Sequence, residues 1–82
     1  MSVLTVAKSR LTGSSFGARL RCARELAGLS QHELAEAAGI HRVNLNRYET
    51  DKVKPAVDVA WKLADAVGVS LDELRGAKPE TE

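Results

Sequence analysis

The sequence predicts an all-α fold: one compact domain of five short helices within 82 residues. Apolar residues recur at spacings of three and four, which places them on one face of successive helices. Ser30 with Glu33, and Ser70 with Glu73, each have the form of a capping box, which marks the start of a helix. Only three residues are aromatic, so the core is expected to be aliphatic and rich in alanine, as closely packed helices require.

Residues 1–15 lack a helical period and end in Gly-Ser-Ser, so they are predicted to form an N-terminal arm that is partly ordered or flexible. Lys8 and Arg10 could contact phosphates from this arm, but a solvated tail is the simpler interpretation. Two β-branched residues leave a short strand possible over residues 3–6.

The first two helices are predicted over residues 16–27 and 31–37. Ser15 is the expected N-cap of the first helix, and Gly28 ends it. The buried stripe of the first helix has spacings of four, three and four and consists of Phe16, Leu20, Ala23 and Ala27. Gly39 follows the second helix, where the chain must turn. A left-handed backbone conformation at this point strains glycine less than any other residue.

The third helix, predicted over residues 42–49, has one face that no core would use. Its buried side and that of the preceding helix and turn are apolar: Leu34, Ala38, Ile40, Leu45 and Tyr48. The opposite face carries Arg42, Val43, Asn46 and Arg47. This pattern indicates a helix whose outer face is presented to a partner.

The last two helices are predicted over residues 56–67 and 70–74, followed by a polar tail over residues 76–82. Pro55 is expected to open the fourth helix, because a missing N–H does no harm in a first turn. The predicted core face of this helix consists of Val57, Ala60, Leu63, Ala64 and Val67. Trp61 lies one residue off that stripe, and Leu71 has no obvious internal partner.

The segments GLSQHELAEAAGI, HRVNLNRYE and GVSLDEL resemble the helix-turn-helix domain of the Cro and phage-repressor type, also called the xenobiotic-response-element family. The resemblance extends from about residue 16 to 74. It implies a lambda-repressor-like DNA-binding domain over residues 16–75. It also implies that the third helix enters the major groove of double-stranded DNA.

Side-chain chemistry and this resemblance together suggest roles for individual residues. Base contacts are expected from His41, Arg42, Val43, Asn46 and Arg47; the arginine fork fits guanine, and Val43 fits a thymine methyl group. Asn46 could bind either adenine or a phosphate, and His41 is expected to cap the helix poorly. Phosphate contacts are expected from Gln31, Asn44, Lys52 and Lys54. The resemblance also implies a partly buried ion pair between Arg24 and Glu49, the alternative being two ordinary surface charges.

Asp51 departs from the family, which commonly has glycine where the chain leaves the third helix in a left-handed conformation. Aspartate tolerates this conformation better than most residues, so the turn is expected to survive with some strain. Its charge would be unfavourable near DNA, and we expect Lys52 and Lys54 to offset it.

The charges are distributed unevenly, although the net charge is only +1. Residues 1–54 contain nine Lys or Arg against five Asp or Glu, whereas residues 55–82 contain three against six. The basic half contains the third helix. This asymmetry is typical of a protein with one side facing DNA.

Several other classes of function have little support. The single Cys22 excludes an internal disulfide and a thiolate zinc site, and neither His32 nor His41 has a partner at ligand spacing, so no metal or other cofactor is predicted. The sequence offers no nucleophile with a base, no acidic pair and no phosphate-binding glycine loop, which argues against an enzyme. No small-molecule substrate is indicated. Without a signal peptide or an apolar run of membrane-spanning length, the expected location is the cytoplasm.

The predicted function is therefore that of a transcriptional regulator, with repression favoured because it requires only occupancy of a promoter. One such helix covers few base pairs, so we expect a homodimer that uses Trp61 and Leu71. Alternatively, the Trp61 ring folds back over the core. The alternative function is an antitoxin or protein-interaction module of the same fold, whose main partner is a protein; the polar outer face of the third helix argues against it.

Overall fold

The computed structural model describes residues 11–76, so the predictions for Lys8, Arg10 and a strand over residues 3–6 lie outside the described residues. Within 11–76 the chain forms five helices and no strand, which confirms the predicted fold class. The helices are α1 (Phe16–Leu26), α2 (Gln31–Ala38), α3 (Arg42–Glu49), α4 (Val57–Val67) and α5 (Leu71–Arg75).

Local signals in the sequence set where these helices begin and end. Ser30 and Ser70 form the two predicted capping boxes: each serine hydroxyl accepts a backbone N–H three residues later, and the glutamate there accepts the serine N–H. Gly39 ends α2 with a φ of 71°. This left-handed conformation commonly ends a helix, and glycine adopts it with less strain than other residues do. Short-range hydrogen bonds therefore explain the predicted starts of α2 and α5.

The core is built around five fully buried leucines, one from each helix: Leu20, Leu34, Leu45, Leu63 and Leu74. Burial of a leucine side chain stabilises a fold by about 1.5–3 kcal/mol, so these residues form the main apolar contribution. Buried alanines between them, including Ala23, Ala35 and Ala64, allow the helix backbones to approach closely. Leu11, in the segment that the sequence assigns to the arm, is also buried in this core.

Three predictions about the core and helix ends were wrong. Ala27 is exposed, because α1 ends at Leu26 and Ala27 is its C-cap at the turn. Val57 is 70% exposed, because it is the first residue of α4 and lines an open groove instead of packing into the core. Pro55 precedes the N-cap of α4, since Ala56 has an extended backbone and takes the capping position.

The packing of the helices leaves one side of α3 uncovered. Helix α1 packs against α3 and α5, and α2 packs against α3 and α4. Helix α3 therefore rests on α1 and α2, and its opposite face points outward. None of the helices in the described part of the chain has the length and apolar character needed to cross a membrane.

Candidate nucleic-acid interface

The outer face of α3 is exposed along its length. Arg42, Val43, Asn46 and Arg47 lie at helical spacings that put them on one side, and all are exposed. His41 is exposed at the start of the helix, whereas Asn44 is half-buried at its edge. This face is free for contact because the apolar side of α3, with Leu45 at its centre, is turned into the core.

A groove of about 390 Å³ runs along this face and collects most of the predicted contact residues. Its lining consists of Gln31, Arg42, Val43, Asn46, Arg47 and Lys52. Three of these six side chains are cationic and none is acidic, so the groove favours an anionic partner. Lys54 is not part of it and lines a different groove with Asp51 and Leu71.

Arg24 and Glu49 form a buried ion pair behind the groove. The guanidinium donates from Nε to Glu49 Oε2 at 2.7 Å and from Nη2 to Glu49 Oε1 at 3.2 Å. Their side chains are only 11% and 2% exposed. Arg24 Nη1 also donates to the Leu29 carbonyl at 2.9 Å. The pair joins α1 to the C-terminal end of α3, and its satisfied hydrogen bonds offset the cost of burying the charges.

Gln31 connects this ion pair to the groove. It is the first residue of α2, and its Nε2 donates to Glu49 Oε1 at 3.0 Å. The same side chain lines the groove beside the cationic residues of α3. Gln31 is therefore held from behind while it faces the candidate interface.

Asp51 binds the start of α1, a role that the sequence prediction missed. It has a φ of 63°, the left-handed conformation expected for it. Its Oδ1 accepts from the Gly17 N–H at 2.9 Å and its Oδ2 accepts from the Ser15 hydroxyl at 2.6 Å. The charge thus faces the N-terminus of α1, where the helix dipole and unpaired N–H groups favour an anion. Because the partners are 36 and 34 residues away, no local sequence signal points to these contacts.

Gly17 brings α1 unusually close to the end of α3. A Cβ atom at this position would lie 2.5 Å from the carbonyl oxygens of Tyr48 and Glu49. Such a distance is not compatible with a side chain unless the backbone moves. The absence of a side chain at Gly17 therefore permits the contact that Asp51 stabilises.

The N-terminal end of α3 has no corresponding attachment among the described residues. His41 occupies the N-cap position with an extended backbone, and its side chain makes no capping hydrogen bond. By contrast, the N-cap hydroxyls of Ser30 and Ser70 accept backbone N–H groups in the first turns of α2 and α5. First-turn N–H groups of α3 are consequently left to water or to a bound partner.

The two residues predicted for a dimer interface lie on the side formed by α4 and α5. Trp61 is 61% exposed, so its ring does not fold back over the core. Leu71 is half-buried and lines an open groove of about 610 Å³ together with Phe16, Pro55 and Val57.

Among residues 11–76, no three His, Cys, Asp or Glu side chains come together as a potential metal site.

A family model described as Helix-turn-helix matches residues 20–74. The HTH-type transcriptional regulator ImmR of Bacillus subtilis (strain 168) is 44% identical over 62 residues, which are 76% of this chain and 49% of ImmR. This chain spans between 17% and 55% of the lengths of the curated relatives that it matches.

Solved structures have the same fold. The restriction-modification controller protein C.AhdI from Aeromonas hydrophila matches with a TM-score of 0.70 and 36% identity, over 72% of this chain and 89% of that one. The P22 c2 repressor, solved with a synthetic operator, matches with a TM-score of 0.74 and 23% identity, over 80% of this chain and all of that one, and supports the fold alone. Since the family model covers more than half of the sequence, the chain belongs to the helix-turn-helix family of the Cro and phage-repressor type.

Proposed function

We propose that this chain binds specific sequences in double-stranded DNA through the outer face of α3 and acts as a transcriptional repressor. The observation that carries the proposal is the groove along α3, which brings three cations, an asparagine and an exposed valine together without an acidic side chain. The likeness to ImmR, a transcriptional regulator, supports the same function.

The major groove of B-DNA admits an α-helix and displays a distinct pattern of donors and acceptors for each base pair. Arg42 and Arg47 can each donate two hydrogen bonds to a guanine edge, and Val43 can contact a thymine methyl group. His41 and Asn46 complete the proposed base contacts. Phosphates on either side are the proposed partners of Gln31, Asn44, Lys52 and Lys54, which fix the position of the helix but carry no sequence information.

Selection of bound duplexes from a random DNA pool, followed by fluorescence anisotropy on the selected and a scrambled duplex, tests this proposal. Arg42→Ala and Arg47→Ala should each weaken binding to the selected duplex by about 1–3 kcal/mol and leave the scrambled duplex nearly unaffected. Arg21→Ala is the matched control, because Arg21 is exposed on α1 and paired with Glu25. An equal loss on both duplexes would contradict base reading by the arginines.

Loss of a phosphate contact should affect DNA binding differently from loss of a base contact. Lys52→Ala should weaken binding to both duplexes alike and reduce the slope of log K against log salt by about 1, because one fewer counterion is released. Lys62→Ala, which removes an exposed lysine of α4, is the control and should leave the slope unchanged. An unchanged slope for Lys52→Ala would remove Lys52 from the proposed interface.

Repression is proposed because occupancy of a promoter is sufficient for it. The proposal places the protein in the cytoplasm, as the sequence predicts, and assigns it no catalytic role. A reporter gene with the selected site across its promoter should be repressed by the wild-type chain and not by Arg47→Ala. Increased expression with the wild-type chain would instead indicate an activator.

We also propose that two copies pair through α4 and α5. Val53, Val57 and Trp61 are three of the five large apolar side chains exposed among the described residues, and they lie close together in the sequence. Val57 lines the same open groove as Leu71, and Trp61 lies one helical turn further along α4. An exposed apolar cluster of this kind marks an interaction surface. The Val57 side chain, which the sequence assigned to the core, is thereby added to the proposed interface with Trp61 and Leu71.

Sedimentation of the free protein and of its complex with a palindromic selected site tests the dimer. We expect two chains per site, and Leu71→Asp should lower the affinity and the cooperativity of binding. Leu26→Asp is the matched control, because Leu26 is exposed on α1 and does not line this groove. One chain per palindromic site would contradict the proposed dimer.

A further inference from the structure

Glu49 serves two partners with one carboxylate. Its Oε1 accepts from both Arg24 Nη2 at 3.2 Å and Gln31 Nε2 at 3.0 Å, while its Oε2 accepts from Arg24 Nε. Arg24 is itself fixed by the Leu29 carbonyl. A line of charge-assisted hydrogen bonds therefore runs from the backbone before α2, through a buried ion pair, to a side chain in the candidate DNA groove.

This arrangement determines which end of the Gln31 amide faces inward. A carboxylate attracts the NH₂ group and repels the carbonyl oxygen, so Nε2 is turned toward Glu49. The NH₂ group has two hydrogens and Glu49 accepts only one, which leaves the second N–H for another acceptor. Because Arg24 balances the charge of Glu49, this orientation is achieved without an uncompensated negative charge behind the groove.

We propose that Glu49 is a positioning residue for DNA binding, which holds the Gln31 amide in the orientation that donates to a backbone phosphate. The inference rests on the proposed function of the groove. A glutamine side chain that is already immobilised loses less conformational freedom when it binds, so the contact costs less than one made by a free side chain. Glu49 contributes to affinity in this way although it is buried and touches no DNA.

The neutral charge of Gln31 separates its contribution from that of the lysines. A glutamine contact to phosphate releases no condensed counterion, so its loss lowers affinity without changing the salt dependence. Gln31→Ala should therefore keep the wild-type salt slope, in contrast to Lys52→Ala. A change that merely loosened the whole α3 surface would alter the lysine contacts as well.

A double-mutant cycle on DNA affinity tests the inference, with each variant first shown to be folded by circular dichroism at the temperature used. Gln31→Ala should weaken binding to the selected and the scrambled duplex alike. Glu49→Gln should weaken binding by about three- to tenfold when Gln31 is present, since one more side chain must be immobilised on binding. In the Gln31→Ala background, Glu49→Gln should change affinity within about twofold.

The same loss from Glu49→Gln in both backgrounds would overturn the inference, because a purely structural effect does not depend on Gln31. If Gln31→Ala binds as the wild type does while Arg47→Ala still loses affinity for the selected duplex, the inference fails and the proposed function stands. If no variant affects DNA binding, both fail.

NMR of the free wild-type protein gives a second test that does not depend on whether Glu49→Gln folds. Gln31 is the only glutamine in the chain, so its side-chain amide is easily assigned. Its protons should exchange with water more slowly than those of Asn46, which is exposed in the same groove. Equal exchange rates for the two amides would show that Glu49 does not hold Gln31, and would overturn the inference.

Discussion

The two ends of α3 are attached to the protein in opposite ways. At the C-terminal end, Glu49 binds Arg24 and Gln31, and Asp51 binds the start of α1 through Gly17 and Ser15. At the N-terminal end, His41 makes no capping hydrogen bond. One end of the helix is fixed by buried and charge-assisted contacts, and the other presents exposed side chains and N–H groups.

The residues that position the helix therefore differ from most of those that would contact a partner. Residues that orient α3 lie behind it or beyond its last turn, where they do not compete with DNA. Residues that would touch DNA begin at the uncapped end and continue along the outer face. Glu49 and Gln31 connect the two sets through their hydrogen bond, whereas the other members are separate. The following predictions compare how firmly each end of α3 is held.

The largest effect is expected from Glu49→Ala. This change leaves the Arg24 charge buried and partly unpaired, and should lower the free energy of unfolding by about 3–5 kcal/mol, measured by urea denaturation. Glu25→Ala is the matched control, since it breaks an Arg–Glu pair whose side chains are 64% and 57% exposed, and should cost about 0.2–1 kcal/mol. Similar losses for both variants would refute the claim that the C-terminal end of α3 is held by a buried pair.

Gly17→Ala should have the next largest effect. In an open helix, alanine in place of glycine stabilises by about 0.8–1 kcal/mol, so the sign of the change is informative. Here the added Cβ would meet the Tyr48 and Glu49 carbonyl oxygens, and we expect a loss of about 1–3 kcal/mol in thermal or chemical unfolding. A gain in stability would mean that α1 does not approach the end of α3 as closely as described.

Asp51→Ala should destabilise the fold by about 2 kcal/mol, because it removes an N-terminal cap of α1 and places alanine in a left-handed conformation. Asp51→Asn keeps an acceptor for the Gly17 N–H and tolerates that conformation, so it should lose less than Asp51→Ala. Asp65→Ala, an exposed change on α4, should stay within about 0.5 kcal/mol. If Asp51→Ala behaves like Asp65→Ala, the contact between Asp51 and α1 has no energetic role.

The smallest effect concerns the other end of the helix and has the opposite sign. His41→Ser supplies the hydroxyl that α3 lacks, and should raise the free energy of unfolding by about 1 kcal/mol. Ser30→Ala is the complementary variant, because it removes the capping hydrogen bond that α2 already has and should cost a similar amount. Destabilisation by His41→Ser would show that this end is already fixed by a contact of the histidine.

Helix positions could be predicted from the sequence because their signals are short-range. Ser30 and Ser70 bind groups three residues away, and Gly39 closes α2 through its own backbone, so a few neighbouring residues contain the information. The outer face of α3 was identifiable for the same reason, since its polar residues lie at helical spacing next to an apolar stripe.

The other contacts and the burial of some apolar side chains could not be predicted, because they depend on residues that are distant in the chain. The hydrogen bond from the Arg19 Nε to the Glu73 carbonyl joins positions 54 residues apart, and Asp51 binds Ser15 and Gly17 across 36 and 34 residues. Val57 shares the period of the buried face of α4, and only the positions of the other helices show that nothing covers it. Leu11 belongs to the core although its neighbours lack a helical pattern.

The most direct test of the account is an NMR titration of the isotope-labelled protein with the selected duplex. Binding through α3 predicts the largest shifts for the backbone amides of residues 42–47 and the side-chain amide of Gln31, with smaller changes at Asp65 on the far part of α4. Shifts confined to α4 and α5, with residues 42–47 unchanged, would contradict the central claim that α3 is the DNA-contacting helix.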